Sequence, residues 1–171
     1  MAIKIITEWH EGFPEPYPFA RVFYNNAISI LRGSSLAMEM IHKLEANPQF
    51  VINIIPTHPD EGVNMFMDEE LNTSQTLSGS VITWDPAASN QTENGLQGPE
   101  IGLIHEMGHA LQYMENRGWY MAYTRMYLEA KRQNPNGKSH PAQKVVEKDV
   151  LIAYEKKVAR QLGQGWREKY D

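Results

Sequence analysis

The chain has 171 residues, 42% of them apolar and 22% charged, with no cysteine and a formal charge of −5. A single domain of this size buries a sufficient core without staples, and the missing cysteines exclude disulfides, thiolate nucleophiles and cysteine-ligated metals. No run reaches the ~20 apolar residues of a membrane span, the first residues lack the basic n-region of a signal peptide, and the acidic balance does not suit a general nucleic-acid binder.

In chain order, residues 2–7 form the first predicted strand, after which Pro14, Pro16 and Pro18 hold the chain extended. The spacing predicts a helix over 19–31, a break at Gly33, Ser34 and Ser35, and a second helix over 36–44 stopped by Asn47 and Pro48. Residues 50–55 form a β-branched strand, 63–67 another, and 80–84 a third, ended by Asp85 and Pro86. The stretch 87–98 reads as polar loop. Gly98 suits a helix N-cap, Pro99 the first helical position and Glu100 the first turn, so a helix is expected over 99–115. Gly118 separates it from a helix over 119–132, and Asn134, Pro135, Asn136 and Gly137 make the next loop. Residues 141–162 form a long final helix released by Gly163 and Gly165. Early strands, late helices and no internal linker give one α+β domain over residues 1–171.

Charge divides along the same order. Between Lys43 and Arg117 there is no Lys or Arg but eleven acids, whereas residues 131–171 hold ten basic residues against five acids. The total therefore splits into −10 for residues 1–130 and +5 for the rest. The plain reading of the acidic block is a solvated surface.

Within the helix over 99–115 stands His105, Glu106, Met107, Gly108, His109, an H-E-x-x-H pattern. Histidines at i and i+4 leave one helical face about one turn apart, close enough for both imidazoles to bind one zinc ion, with Glu106 beside the remaining position. Ile101, Leu103, Ile104, Ala110, Leu111 and Met114 surround the motif, so its face is expected to be interior. The alternative, two buried structural histidines around a carboxylate, requires several further partners.

A catalytic zinc takes a third protein ligand, and the final helix offers Glu147, Asp149 and Glu155. At about 100° per residue, with Glu147 as origin, Val150, Leu151, Tyr154, Val158 and Leu162 fall within about 60° of it. Glu155 lies at about 80°, on the edge of this stripe, and Asp149 at about 200°, on the solvent side. Glu147 is therefore the expected ligand and Asp149 the reserve. The alternative for Glu147 is a long-range ion pair.

Trp84, Asp85 and Pro86, the run L-I-H-E-M-G-H-A at 103–110, Tyr154 with Glu155, and the ending Arg160, Gly163, Arg167 and Tyr170 together resemble the bacterial effector-type zinc metallopeptidases. That family contains type III secreted effectors and toxin domains, and its motif order is similar to that of the clostridial neurotoxin light chains. The resemblance covers residues 28–170, and its most specific part is a Glu followed by Arg twelve and by Tyr fifteen residues later, as in Glu155, Arg167 and Tyr170. Two positions depart from the family pattern: Lys156 follows Glu155 where Asn is usual, and Glu147 with Lys148 replaces a Glu-Glu pair.

The resemblance implies a zincin-like minimal metallopeptidase domain that binds zinc through His105, His109 and a third ligand and hydrolyses a protein or peptide substrate. It assigns Glu106 as the base that activates water, Arg167 and Tyr170 as oxyanion donors, and Glu155 as a support behind a ligand histidine or Arg167. It further implies delivery by specialised secretion machinery into a recipient cytoplasm. Without the resemblance, an ordinary cytoplasmic protein fits equally, and Met1 suits either a native start or the boundary of a longer toxin. Two rival functions stand beside the peptidase: a zinc amide hydrolase acting on cell-wall peptide, and a non-catalytic zinc-stabilised interaction domain docking through the acidic block. For a peptidase, that block predicts a cleft favouring basic or neutral substrate segments.

His10, His42, His58 and His140 have no ligand spacing and are expected to be surface or locally bonded residues. Trp119, Tyr120, Met121, Tyr123, Met126 and Tyr127 are expected to pack the core beside the active helix. Residues 80–84 are expected at a sheet edge, either receiving an extended peptide by backbone pairing or standing there without a ligand.

Overall fold

The computed structural model describes residues 2–58, 64–66, 77, 79–135 and 140–169, with the backbone alone for 64–66. In chain order these residues form β1 (Ile3–Ile5), α1 (Ala20–Leu31), α2 (Ser35–Ala46), β2 (Ile52–Pro56), β3 (Asn64–Phe66) and β4 (Ser80–Trp84). There follow β5 (Asn90–Thr92), β6 (Gly95–Gln97), α3 (Pro99–Glu115), α4 (Arg117–Gln133), α5 (Pro141–Val150), a π-helical turn (Leu151–Glu155) and α6 (Lys156–Gln161). The architecture is mixed, with a small sheet early and helices late, compatible with the expected α+β class.

The main sheet has the order β1-β2-β4-β3. β1, β2 and β4 are parallel, with Ile3 opposite Ile52 and Ile52 opposite Ser80, and β3 runs antiparallel to β4. β2 and β4 are buried at every position, the pattern of parallel strands covered on both faces. Ile52, Ile54, Ile82 and Trp84 face the main core shared with the helices, whereas Ile55 and Val81 face Phe13 of the chain before α1. The strand order corrects one expectation: β4 is an interior strand, paired on both sides, and the edges are β1 and β3.

Between β4 and α3 the expected loop is instead a two-stranded hairpin, β5 with β6, closed at Thr92 opposite Gly95. Gly95 at φ 123° takes a backbone conformation that suits glycine, and Thr92 Oγ1 donates to its carbonyl at 2.8 Å. α3 begins and ends where the sequence places it. Gly98 is its N-cap and Pro99 its first residue, and the Trp84 indole donates to the Pro99 carbonyl at 2.7 Å, tying the end of β4 to this helix.

The final helix departs more consequentially from expectation. A π-helical turn at Leu151–Glu155 divides α5 from α6. Its i→i+5 bonding takes in about one extra residue and rotates the later part of the helix by about 100°, moving Glu155 from about 80° to about −20° relative to Glu147. Both glutamates then face α3, and Glu155 is 1% exposed. α4 buries Tyr120 and Met121 and packs Trp119 and Tyr123 against the core, but leaves Met126 exposed, so only its first half serves the core as expected.

Candidate metal centre

His105, Glu106 and His109 lie on the middle of α3, which is buried on nearly every side. The second wall of the site is α5 with its π turn, and Gly108 sets how near that wall comes. A Cβ at Gly108 would stand 2.8 Å from Val150 Cγ1 and 3.1 Å from Tyr154 Cδ2, tighter than ordinary packing allows. Glycine between the two histidines thus lets the helices meet closely.

At that contact, His105 Nε2 lies 2.9 Å from Glu147 Oε2 and 3.1 Å from His109 Nε2, and His109 Nε2 lies 3.3 Å from the same Glu147 oxygen. The three atoms form a compact triangle, and these residues can hold a metal ion. The geometry can be tested against the ion's needs: bonds of about 2.0–2.1 Å at tetrahedral angles separate ligand atoms by about 3.3–3.4 Å. The triangle reaches that spacing along one side and falls a few tenths short along the others.

Each imidazole turns its other nitrogen to a support. His105 Nδ1 lies 2.7 Å from Glu155 Oε2, and Glu155 accepts in addition from Gln97 Nε2 at 2.9 Å and from Arg167 Nε and Nη2 at 2.9 and 2.5 Å. His109 Nδ1 lies 3.0 Å from Gln112 Oε1. Gln112 Nε2 donates to Asp149 Oδ2 at 2.8 Å and to the Val146 carbonyl at 3.2 Å. Asp149, the reserve ligand, is exposed as the wheel requires and stands outside the ligand triangle, bonded to Gln112.

Arg167 is brought into place by the tail after α6. Gly165 N donates to the Leu96 carbonyl at 2.8 Å, Asn94 Nδ2 to the Trp166 carbonyl at 3.1 Å, and Gly98 N to Gln164 Oε1 at 2.8 Å. A Cβ at Gly165 would collide with the Gly95 carbonyl, so the tail lies flat on the β5–β6 hairpin only because that position is glycine. Tyr170 lies outside the described residues.

The electrostatics follow from burial and pairing. Burial alone would lower the His105 imidazole, but hydrogen bonds to Glu147 and Glu155 outweigh it and raise the group to about 10. Burial would raise Glu147, yet the His105 and His109 imidazoles against it hold it at about 2. Glu155 is likewise held at about 2 against burial, by His105 and Arg167. Glu106 has no comparable bond, and burial pushes its carboxyl up despite the two imidazoles.

Comparison of the chain with known protein families, with curated proteins and with solved structures found no match.

The structure thus brings together His105, His109 and Glu147, with Glu155 and Arg167 behind His105. Sequence reasoning missed Gln97 and Gln112. Gln112 carried a legible signal, a polar residue three positions after His109 and so on the same helical face. Gln97 carried none, because its contact depends on the hairpin. Among the other histidines, His140 caps α5 by accepting from Ala142 N at 3.1 Å, and His58 packs against the Tyr17 ring.

Proposed function

We propose that the protein is a zinc-dependent endopeptidase with a zincin-like centre. The observation that carries this reading is the meeting of an H-E-x-x-H pair with a carboxylate from a separate helix, three ligand atoms within 3.3 Å of one another. Charge supports a divalent ion. Glu106 and Glu147 lie beside both imidazoles, while Arg167 pairs with Glu155 behind them, so a cation bound between the rings would meet carboxylates on its own side of the site. Two nitrogens and one oxygen with an open fourth position are the donor set of catalytic zinc.

A zinc ion held by His105, His109 and Glu147 would supply a Lewis acid able to lower the pKa of a water from 15.7 toward about 7. Glu106 accepts the proton of the attacking water and passes it to the leaving amine, a transfer that its position beside both histidines serves. Glu155 keeps His105 turned toward the centre and grips Arg167 by Nε and Nη2, which sets where the rest of that guanidinium lies. Arg167 and Tyr170 are the donors for the oxyanion formed on the peptide carbonyl. α3 belongs to the stretch without Lys or Arg, so the cleft favours basic or neutral substrate segments. The resemblance to effector peptidases adds a specific protein of a recipient cell as substrate, reached through a signal-peptide-independent secretion route.

The test compares zinc-loaded wild type with Glu106→Gln on a whole-cell proteome whose new N-termini are sequenced. New termini made by the wild type alone, with both proteins holding equal zinc, are the expected result. Equal termini from both, or none from the loaded wild type, would overturn the peptidase reading.

A further inference from the structure

Gln112 is 6% exposed and sits one helical turn beyond His109 on the same face of α3. Its two side-chain atoms are not interchangeable here. Nε2 faces Asp149 Oδ2 at 2.8 Å and the Val146 carbonyl at 3.2 Å, and both of these oxygens can only accept. Reversing the amide would set three oxygens against one another, so the NH2 group points to α5 and Oε1 points to His109 Nδ1, 3.0 Å away. An amide oxygen can only accept in turn. The His109 ring must therefore carry a proton on Nδ1, and in the neutral ring this leaves the Nε2 lone pair aimed at His105 Nε2 and Glu147 Oε2.

We propose that Gln112, anchored by Asp149, is a positioning residue that locks His109 in the tautomer and ring orientation that present Nε2 to a divalent cation. The inference rests on the metal-centre reading and extends it to two residues outside the H-E-x-x-H pattern. It gives exposed Asp149 a part it would otherwise lack: its carboxylate acts on the centre at one remove, by deciding which way the Gln112 amide faces. A residue that merely fills space there could be exchanged for one of equal shape. A relay could not.

The experiment measures zinc affinity by competition with a chromophoric chelator, and the absorption spectrum with Co2+, for wild type, Gln112→Met and Asp149→Ala. It also reads the His109 ring nitrogens by 15N NMR in metal-free protein. Gln112→Met keeps the volume and loses all three side-chain hydrogen bonds, so zinc affinity is expected to fall about 10–100-fold, with an altered Co2+ spectrum. The Nδ1–H signal of His109, dominant in wild type, is expected to give way to a mixture of tautomers. Asp149→Ala changes an exposed residue that endangers folding least, and it is expected to shift both readings in the same direction, by about 10-fold in affinity. Wild-type affinity, spectrum and tautomer in either variant would overturn the relay. The NMR reading needs no metal, so it decides the part of Gln112 even if wild type binds no zinc, the result that would instead sink the metal-centre reading.

Discussion

His105 and His109 leave α3 one turn apart, yet the groups behind them differ in kind. Behind His105 stands a carboxylate in direct contact, Glu155, buried and held by Gln97 and by two nitrogens of Arg167. Behind His109 stands a neutral amide, Gln112, whose own anchor is an exposed carboxylate. Both arrangements place a proton on Nδ1 and turn Nε2 inward, but only the first brings a charge to the ring. Glu106 and Glu147 already lie in the same small volume, and a further acid against His109 would add another buried carboxylate there, at a desolvation cost of several kcal/mol. The centre combines one charged support, balanced by Arg167, with one neutral support.

The largest expected effect comes from breaking the charged side. Glu155→Ala takes this acceptor from the half-buried Arg167 guanidinium and the buried His105 ring, and is expected to cost about 3 kcal/mol in urea unfolding as well as about 100-fold in zinc affinity. A loss below about 1 kcal/mol would place the two supports on an equal footing. Next in size, Gly108→Ala sets a methyl against Val150 and Tyr154, and overpacking of this kind costs about 1–3 kcal/mol. Because it moves α5 and the π turn together, it is expected to weaken zinc binding through both supports, and a normal Co2+ spectrum in this variant would contradict the close-approach argument. The smallest effect sharpens the comparison by touching one side alone. Gly165→Ala lifts the tail from the hairpin, at about 1 kcal/mol, and is expected to speed tryptic cleavage after Arg167 while leaving the His109 tautomer as in wild type.

The parts of this arrangement that were legible in the sequence are those governed by local rules. β4 and α3 have the expected bounds because Asp85 with Pro86, and Gly98 with Pro99, are strong punctuation. Glu147 was legible as well, since it lies before the π turn, where a regular wheel still holds. Beyond Leu151 the wheel fails. A helix of constant pitch sends Glu155 to the edge of the buried stripe, and no residue in 151–155 announces the change of pitch that brings it inward. The hairpin was missed because each strand is three residues long and polar at its ends, too short for an alternating pattern to show. Strand order was missed for another reason: only the burial of β4 on both faces distinguishes an interior strand from an edge, and its sequence allows either.

The central claim, that His105, His109 and Glu147 form a metal centre, is tested most directly by equilibrium dialysis of the purified protein against micromolar zinc, followed by elemental analysis. The account predicts one zinc per chain for wild type and well under one for His109→Ala and Glu147→Ala. A wild type that retains no stoichiometric zinc, or the same zinc content in all three proteins, would contradict it.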